Sequence, residues 1–341
     1  MKNKFRFWVK LTLILVYLVI LAGAIVRMTG SGMGCPDWPK CFGYLIPPTE
    51  IEQLEWHPQH DYHKGEVIIV EKSLRVASKD FNSGSQFTSG NWEAYTKHDY
   101  ALFNVYHTWI EFINRLLGAL AGLTTLVMTV FSFSYWSKQK SIPLLSVAVL
   151  FGMGFQGWLG KTVVDSNLLP FKITIHMAMA LLLVALLIIL VHKTKKTVIP
   201  LTTNFSFRLV AFIGFVLTLI QIGMGTQLRQ FVDIQMKLWE VENAFRWLLQ
   251  APLIFYVHRS FSLAVFAVHA YLAYQLIKNK YTPTVFYLIL GLIFLEILTG
   301  IVMFYFDFPF SSQPLHLIFA SLLFGAQTYF LLEIRIKTKT L

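Results

Sequence analysis

The stretch FKITIHMAMALLLVALLIILVH occupies residues 171–192 and carries two histidines, His176 near its start and His192 at its end. About 20 mainly apolar residues are enough to cross a bilayer as one helix. Seven more segments have this length and character, near residues 9–29, 103–135, 142–162, 208–228, 252–277, 282–306 and 313–334. The sequence therefore predicts an all-α membrane protein with eight transmembrane helices.

The composition excludes most other classes of protein. Hydrophobic residues make up 55% of the 341 residues and charged residues only 14%, and the mean hydropathy is +0.57. A soluble domain has about 25% charged residues. Soluble enzymes, secreted disulfide scaffolds and disordered chains are therefore excluded.

The net charge of +11 is concentrated at the ends of the apolar segments. The basic clusters are Lys2–Lys10, Lys138 with Lys140, Lys193–Lys196 with Arg208, Lys278 with Lys280, and Arg335–Lys339. All of them lie on one side of the membrane if all eight segments cross it. Basic loops stay in the cytoplasm, so we expect a multi-pass protein of the inner (plasma) membrane with both termini cytoplasmic. Nothing in this pattern favours nucleic-acid binding.

An internal repeat is visible at an offset of 140 residues. Gln156, Gly160 and His176 fall on Glu296, Gly300 and His316. Two further correspondences are Gly23-x-x-x-Arg27 with Gly225-x-x-x-Arg229, and Asn114-Arg115 with His258-Arg259. The pattern predicts two parallel four-helix bundles, residues 1–200 with a long outer loop at 30–102, and residues 201–341. Ala22-Gly23-Ala24 also resembles a signal-peptide cleavage site, but the first segment has an internal counterpart.

Ionisable side chains inside a bilayer are costly, so they are candidates for function. His258 and His316 lie at matching depth in the sixth and eighth segments. Two imidazoles in a four-helix bundle can bind a heme iron from both sides. The alternative is that each histidine forms a hydrogen bond with a neighbouring helix. His269 lies deeper, and we expect it to be a buried core residue.

The first half has only part of such a pair. His176 is present, but Asn114 stands where the repeat has His258. Asn is a poor ligand for heme iron, and His107, seven residues earlier, is a second candidate on that helix. His107 could bind only a heme that is displaced outward, and the alternative is that it is an interfacial side chain. A heme in this half would then be held by His176 alone or in another way.

Glu111 lies four residues from both His107 and Arg115 on one helical face. It can pair with Arg115, which would neutralise both charges, or act on a bound substrate as an acid, a base or a charge stabiliser. Four arginines are candidates for binding carboxylates such as heme propionates: Arg27, Arg115, Arg229 and Arg259. The alternative is that their charged ends extend to the membrane interface by snorkelling.

The two cysteines of the chain, Cys35 and Cys41, lie in the outer loop. That side of the membrane is oxidising. A structural disulfide and a redox-active pair are both compatible with this placement.

Together these residues resemble the heme A synthase family, which oxidises the C8 methyl of heme O to a formyl group to give heme A for terminal oxidases. The resemblance rests on RMTGSGMGCPDWPKC at 27–41, EFINR at 111–115, His176, His258-Arg259 and His316. It covers nearly the whole chain apart from residues 50–98.

The resemblance implies roles for several residues. His258 and His316 would bind a permanent heme b iron, and His176 the iron of the substrate heme O. Glu111 would be required for the oxidation, and the cysteine pair is similar to one in many bacterial members. Asn114 departs from the family, whose motif has histidine at this position. Heme O synthase and a membrane electron acceptor or donor are the implied partners.

Other functions fit part of the pattern. A diheme b-type electron carrier or a quinol oxidoreductase would use the same histidines without changing a heme. A transporter with parallel repeats would have Gly- or Pro-broken helices at mid-membrane, which the sequence does not show. A homo-oligomer remains open.

Overall fold

The computed structural model describes residues 2–96, 102–195, 201–239, 243–281 and 283–336. In this part of the chain, eight helices are long and apolar enough to cross a membrane. They are α1 (Lys2–Met28), α2 (Val105–Ser132), α3 (Ser141–Asp165), α4 (Pro170–Lys193), α5 (Phe205–Trp239), α6 (Leu253–Lys278), α7 (Thr284–Tyr305) and α8 (Ser312–Glu333). The predicted all-α membrane fold is confirmed. Parts of the predicted basic clusters, Lys196 and residues 337–339, lie outside the described residues.

Helix α5 is longer than the sequence predicted. The apolar segment was expected to end near residue 228, but the helix continues to Trp239. Arg229 and Asp233 form an ion pair of 2.8 Å one turn apart in this extension, and Val232 is buried. An ion pair at this spacing stabilises a helix whose residues are not apolar enough to be recognised as a membrane span.

The described residues form two compact units. The first comprises residues 1–17, 124–150 and 180–341, and the second comprises residues 18–123 and 151–179. The boundary passes through the first four helices. The predicted division into two parallel four-helix bundles, 1–200 and 201–341, stays a prediction.

The core of the first unit is built by α5 to α8. Its buried side chains are large and apolar, among them Leu272, Ile289, Leu323 and Phe330. Helix α5 packs against α6 and α8, and α7 packs against α8. Many other large apolar side chains on these helices are exposed, for example Leu253 at 78%. Apolar exposure of this kind matches a lipid environment.

The second unit contains an outer β segment between α1 and α2. A three-stranded antiparallel sheet has the order β2 (Val67–Val70), β3 (Ser73–Ala77) and β5 (Trp92–Ala94). Beside it, β1 (Asp61–Tyr62) pairs with β4 (Phe81–Asn82). The Val-Ile-Ile-Val run of β2 is a strand-like pattern in the sequence, whereas the partners of β2 have no clear pattern.

The cysteine loop of the second unit is closed by a disulfide between Cys35 and Cys41. Both cysteines are buried. The Asp37 carboxylate accepts hydrogen bonds from the main-chain N–H groups of Phe42 and Gly43, at 2.6 and 2.9 Å. Gly34 packs so closely on the backbone of α2 at His107 that a Cβ there would have no room. The loop is therefore held rigidly against α2.

We predict that Cys35 and Cys41 are both oxidised in membranes prepared without reductant. Because both cysteines are buried, the protein should be unfolded in detergent so that an alkylating reagent can reach any free thiol. Mass spectrometry then measures the mass of the protein. No added mass is expected, and two adducts should appear after reduction.

The matched control is Cys41→Ser, in which Cys35 should label without reduction. Full labelling of both thiols in the unreduced protein would contradict the assignment.

Candidate functional site

Two histidines of the first unit lie close together. His258 is on α6 and His316 is on α8, and their ring centres are 6.4 Å apart with the planes at 68°. An imidazole nitrogen binds a metal ion at about 2.0–2.1 Å and lies roughly 1.1 Å from its ring centre, so two imidazoles on opposite sides of one ion have centres about 6.3 Å apart. The measured separation fits two ligands of one iron.

The His316 ring is oriented by two groups of α7. Its Nδ1 lies 2.8 Å from the Thr299 hydroxyl and 3.3 Å from a carboxylate oxygen of Glu296. Partners of this kind fix the orientation and the tautomer of a metal-binding histidine. Because Nδ1 is engaged, Nε2 is the nitrogen that can bind a metal ion.

His258 has a different neighbour, Gln221 on α5. The Gln221 amide donates to the main-chain oxygen of His258 at 2.9 Å and lies 3.5 Å from the ring Nε2. The ring Nδ1 is buried without a hydrogen-bond partner among the described residues. A buried nitrogen left without a partner costs free energy, so this ring also fits a ligand of a bound group.

His176, in the second unit, has the same surroundings as His258. Gln156 on α3 donates to the main-chain oxygen of His176 at 3.1 Å and lies 3.4 Å from its ring Nε2. Here too Nδ1 is buried and has no partner in the described part of the chain. The two histidines thus have equivalent contacts.

A glycine faces each of these histidines. A Cβ built on the glycine would lie 3.3–3.9 Å from Cε1 of the ring; the pairs are Gly160 with His176, Gly225 with His258, and Gly300 with His316. At Gly23 the nearest atom would be Oδ1 of Asn114, at 3.9 Å. We call residues 114, 176, 258 and 316 the glycine-facing positions. The core residue His269 also faces a glycine, since a Cβ on Gly214 would lie 3.0 Å from its Cε1. The asparagine thus occupies the same kind of position as the three histidines.

Glu111 is a buried acid on α2 with two partners. Its carboxylate accepts a 2.8 Å hydrogen bond from the Cys35 N–H and pairs with Arg115. The intrahelical pair considered from the sequence is therefore present. The bond to Cys35 was not expected, because it joins residues that are 76 positions apart.

Arg115 also holds the cysteine loop. It donates to the main-chain oxygens of Cys35, Asp37 and Lys40, at 3.0, 2.6 and 3.0 Å. The guanidinium group therefore joins the loop to Glu111. A role of Arg115 in binding propionates stays a prediction.

The other predicted residues are placed as follows. Arg229 pairs with Asp233, the Arg259 guanidinium lies 5.7 Å from the ring centre of Phe304, and Arg27 is in the last turn of α1. His107 is half-buried in the first turn of α2. Their roles with a heme stay predictions.

His269 is confirmed as a core residue. It is 2% exposed, and its ring bonds the main-chain oxygen of Val265 at 2.7 Å and the Gln327 amide at 2.9 Å.

Sequence reasoning missed Gln221 and Thr299. The sequence contains a signal for Gln221, namely a polar residue four positions before the glycine that faces each histidine. The pairs are Gln156 with Gly160, Gln221 with Gly225, and Glu296 with Gly300. Thr299 has no such signal.

Known proteins resemble the chain over most of its length. Residues 6–81 and 87–328 match the family described as cytochrome oxidase assembly protein (COX15-CtaA). The heme A synthase of Rickettsia prowazekii is 24% identical over 92% of this chain and 93% of its own. That of Rickettsia rickettsii is 24% identical over 96% and 97%. The heme A synthase of Shewanella oneidensis is 27% identical over 54% of this chain and 44% of its own.

A match of this extent leaves out only the first residues, a short gap in the outer β segment and the end of the chain. It includes Glu111, the cysteine loop and all four glycine-facing positions. The chain therefore belongs to the cytochrome oxidase assembly protein family, the family of the heme A synthases.

Proposed function

We propose that this protein is a heme A synthase that oxidises the C8 methyl of heme O, through an alcohol, to the formyl group of heme A. The observation that carries the proposal is the buried Glu111, which the cysteine loop and Arg115 hold in the same unit as His176. An electron carrier has no need of such an acid. The names of the relatives add independent support.

The first unit is the site for a permanent heme b. His258 and His316 would bind its iron, and Glu296 with Thr299 would orient His316. When bound, this heme supplies one-electron chemistry, with a potential set by its ligands and their hydrogen bonds. Arg229 and Arg259 are the candidates for binding its propionates.

The second unit is the site for heme O, the substrate. His176 would bind the substrate iron, with His107 as the alternative ligand. Arg27 and Arg115 are the candidates for its propionates. Glu111 would then accept or donate a proton, or stabilise positive charge, beside the methyl group that reacts. Two fixed donors hold its carboxylate in one orientation, which a group acting on one substrate carbon requires.

The cellular setting follows from the same proposal. The protein would lie in the inner (plasma) membrane with both termini in the cytoplasm, since basic residues flank that side of the helices. It would receive heme O from heme O synthase and exchange electrons with a membrane carrier. The competing function is a diheme b-type carrier or quinol oxidoreductase. Co-expression with heme O synthase and chromatography of extracted hemes separates the two, since only a heme A synthase yields heme A.

We predict that His258→Ala and His316→Ala each remove one tightly bound, low-spin heme b, because an iron–imidazole bond is lost. Heme content per protein and the reduced-minus-oxidised spectrum measure this. The control is His269→Ala, which removes another buried histidine of the same unit. Because His269 contacts Gln327 in the core, this variant should have the wild-type spectrum. An unchanged spectrum in either ligand variant would disprove the assignment.

We predict that Glu296→Ala weakens heme b retention about 10–100-fold, the usual effect of losing a group that orients a metal ligand. Glu296→Gln should stay close to the wild type, since Gln221 serves the equivalent His258. Transfer of heme b to excess apomyoglobin measures the rate at which each variant loses its heme. If both variants lose heme equally fast, hydrogen bonding by residue 296 does not orient His316.

We predict that Glu111→Ala lowers heme A formation about 10²–10⁴-fold, the usual contribution of an acid–base group. Heme b should stay bound, and heme O or the alcohol should accumulate in the extract. Glu111→Gln separates the roles, since an amide can still accept the Cys35 hydrogen bond but cannot transfer a proton. Near-wild-type heme A in Glu111→Gln would show that the residue only maintains structure.

A further inference from the structure

The four glycine-facing positions differ in one respect. Three carry an imidazole, at His176, His258 and His316, and the fourth carries the amide of Asn114. Histidine is the usual ligand of heme iron, while an amide oxygen is suited to hard ions such as Mg²⁺ or Ca²⁺. Position 114 therefore offers no strong bond to an iron.

The neighbouring residues differ in the same way. Each histidine is contacted by a polar side chain four residues before its glycine, namely Gln156, Gln221 or Glu296. Four residues before Gly23 is Val19, an apolar residue that cannot form a side-chain hydrogen bond. Position 114 thus lacks both the ligand and the group that would orient one.

The Asn114 side chain is nevertheless buried and polar. Its Oδ1 is inaccessible to solvent and has no hydrogen-bond partner in the described part of the chain. A Cβ on Gly23 would meet no other atom within 4 Å, so a methyl-sized group fits between Gly23 and the amide. A buried carbonyl oxygen is rarely left without a donor, and the amide can both donate and accept hydrogen bonds.

We propose that the substrate heme has a single protein ligand, His176, and that its other iron position, beside Asn114, is open to a small diatomic molecule. This inference rests on the proposed function, because it takes the second unit to bind heme O through His176. Heme iron bound by one histidine leaves a coordination position free, and the polar groups around that position decide what binds there. The Asn114 amide is the polar group at this position.

Carbon monoxide is a suitable probe, since it binds only where reduced heme iron has an open position. The full-length protein, purified after co-expression with heme O synthase, should be reduced and titrated with carbon monoxide. Heme O and heme b are counted separately by chromatography of the same sample. About one carbon monoxide per heme O is expected, while heme b, held by two histidines, should not react.

One exchange variant tests position 114 directly. Asn114→His restores an imidazole at the fourth glycine-facing position, and we expect heme O to stay bound, become low-spin and lose carbon monoxide binding. If Asn114→His does not fold, Asn114→Ala still tests the inference, because it should keep both heme O and carbon monoxide binding. His176→Ala, by contrast, should lose heme O.

The outcomes separate the two proposals. Wild-type protein that binds no heme O contradicts the proposed function itself. Wild-type protein with heme O bound but inert to carbon monoxide overturns the open position and leaves the proposed function standing. If the inert protein becomes reactive in His107→Ala, His107 is the second ligand and our inference is wrong.

Discussion

A polar side chain within an apolar helix needs a hydrogen-bond partner on a neighbouring helix, and this requirement organises both units. Lipid offers no partner. His176, His258 and His316 each pack against a glycine, where the absence of a Cβ lets an imidazole approach the next helix. The residue one turn before each glycine then reaches the histidine. One local arrangement therefore provides both close packing and oriented rings.

The same requirement explains how the outer segment is fixed to the helices. Glu111 and Arg115 are costly in an apolar helix as separate charges, and they neutralise each other. Their remaining hydrogen-bonding capacity is used by the cysteine loop, through the Cys35 N–H and three main-chain oxygens. The disulfide keeps those main-chain groups in place. The position of the candidate catalytic acid therefore depends on a loop that is distant in sequence.

The three histidines are alike in packing but differ in their hydrogen-bond partners. His176 and His258 face amides, whereas His316 faces a carboxylate and a hydroxyl. A carboxylate donates more electron density to an imidazole than an amide does, and such partners tune a bound metal. Under the proposed function, the site for heme b would thus have the firmer support at His316. The site for heme O would have weaker support at His176 and an asparagine at position 114, which would suit a heme that enters and leaves.

The sequence by itself determined the membrane class, the number and approximate limits of the helices, and the candidate residues. These features depend on local composition and on spacing within one segment, which can be counted directly. The tertiary structure alone decided that the rings of His258 and His316 lie 6.4 Å apart, that Glu111 accepts a hydrogen bond from the Cys35 N–H, and that Thr299 and Glu296 contact His316. It also decided the strand partners of Val67–Val70 and the extension of α5. Each of these depends on side chains from separate helices or loops meeting in space, and the rotation of one helix against another is set by packing that no single segment encodes.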